Sequence, residues 1–157
     1  QKTVVNILEK NPDSVSILTI HKSKGLGFPV CFLCDTGGNF EKSGAQKPIL
    51  ITPSGQITTF LCDEGGLVKC KTPQYIASYK ELRSASVEEE ARVLYVALTR
   101  AKKKLFVTMS EKFPDKLLES AKQMAEYPFG AYSVSTSKSF KEWIIDSAVR
   151  NTCWWQI

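Results

Sequence analysis

Apolar residues along the chain form short β-prone runs that alternate with polar loops. Residues 15–20 and 28–34 are two such runs, and they predict a pair of buried strands. Residues 21–27 between them are polar and contain glycine, which predicts a loop or one helical turn. A further run at 105–109 predicts a strand that closely follows a long helical segment.

The helical segment begins near Gln74 and carries an apolar stripe at steps of three and four residues, formed by Val87, Ala91, Leu94, Leu98 and Ala101. This spacing predicts one long helix that turns Leu94 and Leu98 toward the core and delivers Arg100 near its C-terminal end. Weaker patterns predict shorter helices at 3–10, 114–125 and 138–149.

Two β-prone runs at 49–52 and 56–61 flank a turn made of Pro53, Ser54 and Gly55, and this arrangement predicts a β-hairpin. Polar, glycine-containing segments at 35–44 and 63–66 set the hairpin apart as an insertion. The order of the elements predicts an α/β fold in which helices flank a parallel sheet.

The length and composition are those of one ordinary globular domain, with 157 residues, 43% hydrophobic and 24% charged. No apolar stretch reaches the roughly 20 residues that cross a bilayer, and no charged segment followed by an apolar one indicates a signal peptide, so we expect a cytoplasmic location and no membrane partner. The 21 basic and 16 acidic residues give a net charge of +5, which is compatible with a polyanionic partner. Basic residues gather at Lys22 and Lys24 and again at 102–104.

The cysteines allow two interpretations. Cys31 and Cys34 have the spacing of half a zinc site, which Cys62 and Cys70 could complete. However, residues three apart on a strand point to opposite faces, so buried and inert thiols are the favoured interpretation. We therefore predict reduced cysteines, Cys153 included, and no metal site.

Two segments carry the candidate chemistry. Residues 19–29 read Thr-Ile-His-Lys-Ser-Lys-Gly-Leu-Gly-Phe-Pro, and residues 94–102 read Leu-Tyr-Val-Ala-Leu-Thr-Arg-Ala-Lys. Together they resemble motifs V and VI of the UvrD/RecB group of superfamily 1 DNA helicases. Within that group they resemble above all the RecB- and AddA-type subunits of helicase-nucleases that process double-strand breaks.

The resemblance implies that residues 1–157 are a single-domain fragment of the second RecA-like motor domain, which is of the P-loop NTPase type. Motif V would cover about 15–34, the insertion about 35–73 and motif VI about 86–108. No Gly-x-x-x-x-Gly-Lys-Ser/Thr loop occurs in the sequence, so an upstream RecA-like domain would hold the ATP phosphates and Mg²⁺. ATP and Mg²⁺ are thus expected cofactors of the full-length protein, and the fragment alone is expected to be inactive. The Gln1 start and the apolar end also suggest a longer protein.

By resemblance, Arg100 is the catalytic arginine finger, and Gly25, Gly27 and Arg100 contact ATP. A loop at the carboxyl edge of a parallel sheet, where such sheets bind ligands, would bring Thr19, His21 and Lys24 to DNA. Position 27 departs from the family, which usually has a glutamate there that contacts the ribose. Because glycine has no side-chain acceptor, ribose recognition is in question.

Each of these residues also has a simpler structural interpretation. The polar loop could be solvated, Arg100 could be a cation that favours a helix C-terminus, and Arg92 could pair with Glu88 and Glu89 instead of facing a cleft. Trp143 is predicted to be a core residue, although tryptophans can stack on unpaired bases, as Trp154 and Trp155 also could.

The function expected from the resemblance is that of a piece of an ATP-dependent DNA helicase/exonuclease subunit in double-strand break repair and recombination. Its expected partners are single- and double-stranded DNA, the upstream RecA-like domain and a partner subunit of a helicase-nuclease complex. The alternative is a non-catalytic module that binds DNA or protein and derives from a helicase domain.

Overall fold

The computed structural model describes residues 14–40, 47–63, 65, 69–127 and 130–151. The helix predicted at 3–10 and the residues Cys153, Trp154 and Trp155 lie outside these ranges. Within them, the chain forms a parallel β-sheet flanked by helices and a small antiparallel sheet, which confirms the predicted fold class.

The parallel sheet pairs two strands that are far apart in the chain. Strand β1 (Phe28–Leu33) lies beside β5 (Ala101–Val107), and their register runs from Phe28 opposite Ala101 to Leu33 opposite Val107. The predicted strand at 105–109 is therefore confirmed, but it begins earlier and includes Lys102, Lys103 and Lys104.

The insertion forms the antiparallel sheet. Strands β2 (Ile49–Ile51) and β3 (Ile57–Cys62) make the predicted hairpin, and a third strand, β4 (Lys69–Lys71), pairs with β3. The hairpin turn depends on Gly55, whose φ of +84° suits glycine far better than any other residue. Strand β4 was not predicted, because its three residues are too few to form a pattern.

Helix α1 (Pro73–Leu98) is the predicted long helix. It begins where the Thr72 hydroxyl accepts a hydrogen bond from the Tyr75 amide (3.0 Å), with proline in the first turn. Its buried residues are Tyr75, Ser78, Leu94 and Ala97. The predicted stripe is thus only partly right, because Ala91 and Leu98 are exposed. The helix turns small and aromatic residues inward instead, and the Tyr75 ring packs against Phe60 in β3.

The strand predicted at 15–20 is wrong for the structure described. These residues have no strand assignment, and Val15 and Ile17 are 92% and 83% exposed. A strand needs a neighbour for its backbone N–H and C=O groups, and no described strand pairs with this segment. Because no strand forms at 15–20, β1 is also less buried than predicted. Val30 and Phe32 on one of its faces remain exposed.

Three helices complete the described chain: α2 (Pro114–Ala125), α3 (Ala131–Thr136) and α4 (Phe140–Arg150). The first and last confirm the predicted helices, whereas the six-residue α3 was not predicted. Trp143 in α4 is 6% exposed, packs against Phe40 with ring centroids 4.8 Å apart, and donates its indole N–H to the Val134 carbonyl. The prediction of a core tryptophan is confirmed. In the part of the chain that the structure describes, no helix is long and apolar enough to span a membrane.

Candidate functional site

The polar segment between 19 and 27 folds into a short 3₁₀ turn followed by a glycine. The turn covers His21–Ser23, and the Thr19 hydroxyl accepts a hydrogen bond from the Lys22 amide (3.3 Å) at its start. After the turn, Gly25 adopts a φ of +82°, and the Leu26 amide donates a hydrogen bond to the Ser23 carbonyl (3.0 Å). The predicted loop or single helical turn is therefore confirmed.

Arg100 lies just beyond α1 and joins this loop to the helix. Its Nη1 donates to the Leu26 carbonyl (2.9 Å), and its Nε donates to the Val96 carbonyl (2.8 Å) in the last turn of the helix. Its Nη2 donates to the Thr99 hydroxyl (3.0 Å). A guanidinium has five N–H groups, so these three bonds leave two for another acceptor.

The backbone reinforces the same junction. The Phe28 amide donates to the Arg100 carbonyl (2.9 Å), at the point where β1 and β5 begin. The loop and Arg100 thus meet at the amino ends of the two parallel strands. This corrects the predicted position at a carboxyl edge, which assumed a strand at 15–20 that is not formed.

The side chain of Lys102 lies against Gly27. A Cβ atom built on Gly27 would be 2.7 Å from Cε and 3.6 Å from Nζ of Lys102, and the first of these distances is closer than real atoms approach. Gly27 is therefore a position of close approach, and its φ is not in the left-handed region. Two of the predicted site residues, Gly25 and Gly27, thus flank Leu26 in the chain, and the Leu26 carbonyl binds the third, Arg100.

The three residues predicted to contact DNA lie on the same loop. Thr19, His21 and Lys24 are all exposed. The Thr19 hydroxyl holds the start of the 3₁₀ turn, while the His21 carbonyl accepts the Lys24 amide (3.3 Å) at its end. These three residues and Lys22 are exposed on the loop that leads to Leu26, whose carbonyl binds Arg100.

Arg92 does not face this junction. Its side chain is 70% exposed and pairs with Glu89 (3.1 Å) and more distantly with Glu88 (4.0 Å) along α1. The structural interpretation of Arg92 as a helix-surface ion pair is confirmed. Ion pairs this exposed contribute little, on the order of 0.5 kcal/mol or less.

The cysteines are less buried than predicted. Cys31 is half-buried, whereas Cys34, Cys62 and Cys70 are exposed, because one end of β1 and the small antiparallel sheet face solvent. All four are free thiols. Among the described residues, no group of three or more His, Cys, Asp or Glu side chains could hold a metal ion.

The two segments that meet at Arg100 are also the segments that resemble helicase motifs V and VI. Residues 3–112 match the family of the UvrD-like helicase C-terminal domain. The chain belongs to this family. The UvrD-like C-terminal domain is RecA-like, which agrees with the parallel pairing of β1 and β5 and with helices on the sheet.

Relatives of this UvrD-like helicase C-terminal domain cover most of its length. The chain is 35% identical over 148 residues to an ATP-dependent helicase/nuclease subunit of Clostridium novyi, and the match includes 92% of the chain. It is 37% identical over 142 residues, 88% of the chain, to the protein of the same name from Clostridium beijerinckii. The chain spans only 12% and 11% of the lengths of these two relatives.

Sequence reasoning missed two features of this UvrD-like domain. The Leu26 carbonyl is a backbone group 74 residues from Arg100, and no residue type marks it as a partner. The position of Lys102 over Gly27 was also missed, although the basic run at 102–104 and the unusual glycine were both visible in the sequence.

Proposed function

We propose that this chain contributes motifs V and VI to the motor of an ATP-dependent DNA helicase-nuclease. The observation that carries the proposal is the bond from Arg100 to the Leu26 carbonyl, which holds a cationic side chain between the two motifs. Support also comes from the two clostridial relatives, which are both named as ATP-dependent helicase/nuclease subunits.

In this proposal Arg100 acts on the γ-phosphate of ATP. Its guanidinium is permanently charged, and the bonds to Val96, Thr99 and Leu26 fix its plane while two N–H groups stay available. A cation held in this way stabilises the negative charge on the phosphoryl oxygens during transfer without having to reorganise. The bond to Val96 also makes Arg100 a helix C-terminal cation, so its structural role and its catalytic role coexist.

Gly25 and Gly27 are the loop residues that contact the nucleotide in this proposal. The space beside Gly25 is open, whereas the Lys102 side chain occupies the position where a Cβ of residue 27 would lie. ATP phosphates and Mg²⁺ would be held mainly by an upstream RecA-like domain of the same polypeptide, and the 157-residue chain alone would not hydrolyse ATP.

The exposed loop beside Arg100 is the proposed contact with single-stranded DNA. Thr19, His21 and Lys24 offer a hydroxyl, an imidazole and an ammonium, all of which can bond to backbone phosphates without reading sequence. The protein loop that is proposed to contact DNA continues directly into Leu26. Hydrolysis of the nucleotide beside Arg100 can therefore shift the residues of this loop that contact DNA. We further propose that the full-length protein acts in the cytoplasm together with a second subunit, in repair and recombination of double-strand breaks.

The test is DNA-stimulated ATP hydrolysis by the full-length polypeptide that contains this chain. Arg100→Ala should lower kcat by about 10³-fold or more while DNA affinity changes little. Arg92→Ala is the matched control, because Arg92 lies in the helix that precedes Arg100, is exposed and pairs only along the helix surface. We expect its kcat to stay within about twofold of the parent.

An unchanged kcat for Arg100→Ala would contradict the proposal. If such a protein still bound DNA with the same affinity, the non-catalytic binding module would be the better interpretation. Equal losses for Arg92→Ala and Arg100→Ala would point to a general effect on helix α1.

A further inference from the structure

We propose that Lys102 is a second cation of the nucleotide site, directed at the phosphates of a nucleoside triphosphate, and that Gly27 is the residue that lets it reach there. The inference deepens the proposed function and rests on it. Neither motif shows this role by its sequence, because the inference depends on a contact between residues about 75 positions apart.

The first observation is one of space. A Cβ atom added to Gly27 would lie 2.7 Å from Cε of Lys102, which is a clash. The three atoms nearest to this Cβ position all belong to Lys102. The lysine side chain therefore crosses directly over the Gly27 backbone. Any other residue at position 27 would move the end of this flexible side chain.

The second observation concerns the direction of the strand. Arg100 and Lys102 flank Ala101, which lies opposite Phe28 in the register of the parallel pair. Arg100 bonds to the Leu26 carbonyl, and Lys102 covers Gly27, so two cations meet the same three-residue segment. The pairing is irregular just after this point, because Val30 lies opposite Lys104 and β5 thus has one extra residue at 102–103. The three atoms nearest to the Cβ position of Gly27 belong to Lys102 and none of them to Lys103.

The third observation is that no carboxylate among the described residues pairs with these charges. Within the residues that the structure describes, neither Arg100 nor Lys102 forms an ion pair with a carboxylate. Two neighbouring unpaired cations repel each other and favour a polyanion between or beside them. The phosphate chain of a nucleoside triphosphate satisfies this requirement, whereas a neutral ribose does not.

An ammonium is a compact point charge that binds phosphate without demanding one orientation. Lys102 would thus act mainly on affinity, while the fixed guanidinium of Arg100 acts on turnover. This chain would recognise its nucleotide through phosphate charge and would discriminate little between ribose and deoxyribose.

The experiment measures KM and kcat for ATP and dATP with the full-length polypeptide and saturating single-stranded DNA. Lys102→Met keeps the length of the side chain and removes its charge, and we expect KM to rise about 10-fold for both nucleotides with a smaller change in kcat. Lys103→Met is the matched control, because the atoms nearest to Gly27 are those of Lys102, and its KM should remain within about twofold of the parent.

Gly27→Ala provides an independent variant. Its φ is not in the left-handed region, so the backbone accepts alanine, and the added methyl group pushes Lys102 aside, which should raise KM in the same direction. The double variant Gly27→Ala/Lys102→Met should have the KM of Lys102→Met alone, because the methyl group then has no charged group to displace.

Three results would overturn the inference: equal KM values for Lys102→Met and the parent, equal effects of Lys102→Met and Lys103→Met, or an effect with ATP that vanishes with dATP. The last result would place the ammonium on the ribose. Arg100→Ala, measured in parallel, separates the two proposals. If it abolishes turnover while Lys102→Met changes nothing, only the role of Lys102 fails; if Arg100→Ala changes nothing, the proposed function fails as well.

Discussion

Two glycines with nearly the same backbone conformation allow a controlled test of the loop that leads to Arg100. Gly25 has a φ of +82° and Gly55 a φ of +84°, and a Cβ on either would meet no atom within 4 Å. Gly25 lies in the loop next to the candidate site, whereas Gly55 lies in the hairpin turn between β2 and β3. Alanine at either position therefore perturbs only the backbone.

The size of the perturbation follows from that geometry. An L-residue in the left-handed region costs roughly 1–2 kcal/mol, and the lower entropy of an unfolded chain with alanine offsets about 0.4–1 kcal/mol of this. We expect both Gly25→Ala and Gly55→Ala to lower the free energy of unfolding of the chain by about 1 kcal/mol, measured by urea denaturation.

The two variants should differ in activity. Relaxation of residue 25 toward a negative φ moves Leu26 and weakens the bond from its carbonyl to Arg100. Since small displacements of catalytic groups are costly, Gly25→Ala should lower kcat of the full-length protein at least about tenfold, and Gly55→Ala should not change it. If Gly25→Ala were fully stable and active, or if both variants lost activity equally, the proposed link between loop geometry and Arg100 would be refuted.

Three further outcomes are expected. Trp143→Ala should lower the free energy of unfolding by about 3–5 kcal/mol, whereas Trp143→Phe should lose about 1 kcal/mol with the bond to Val134; equal losses would contradict the packing described. The Glu111 carboxylate accepts hydrogen bonds from Lys141 and from two backbone amides, and these bonds lower its pKa. Its contribution to the free energy of unfolding is therefore full above the ordinary pKa and is lost as the pH falls through the lowered pKa. Glu111→Gln should flatten the pH dependence of stability across that acid range. Elemental analysis of the purified chain should find no stoichiometric zinc, and one zinc per chain would restore the cysteine site.

Most of the fold could be predicted because its elements carry local patterns. Turn residues between two β-prone runs indicated the hairpin, and apolar residues at steps of three and four indicated helix α1, while weaker patterns indicated α2 and α4. The segment at 15–20 shows where such reasoning stops. Its composition favours a strand, but a strand forms only with a partner, and composition does not supply one.

Predictions for the site divided in the same way. Arg100, Gly25 and Gly27 could be chosen from motif resemblance, and the structure places them together. The prediction that they lie at the carboxyl edge of the sheet was wrong, because it was inferred from a strand at 15–20 that is not formed. The partners of Arg100 and Lys102 could not be predicted, because both contacts join segments about 75 residues apart and one of them uses a backbone carbonyl.

The central claim is that Arg100 stabilises charge on the transferring phosphoryl group, beyond its bonds to Leu26 and Val96. The most direct test compares the affinities of the full-length protein for ADP and for ADP with aluminium fluoride, a mimic of the transition state, before and after Arg100→Ala. The account predicts that affinity for the mimic falls about 10³-fold while affinity for ADP changes less than about fivefold. Equal losses for both ligands would contradict it and leave Arg100 with a structural role only.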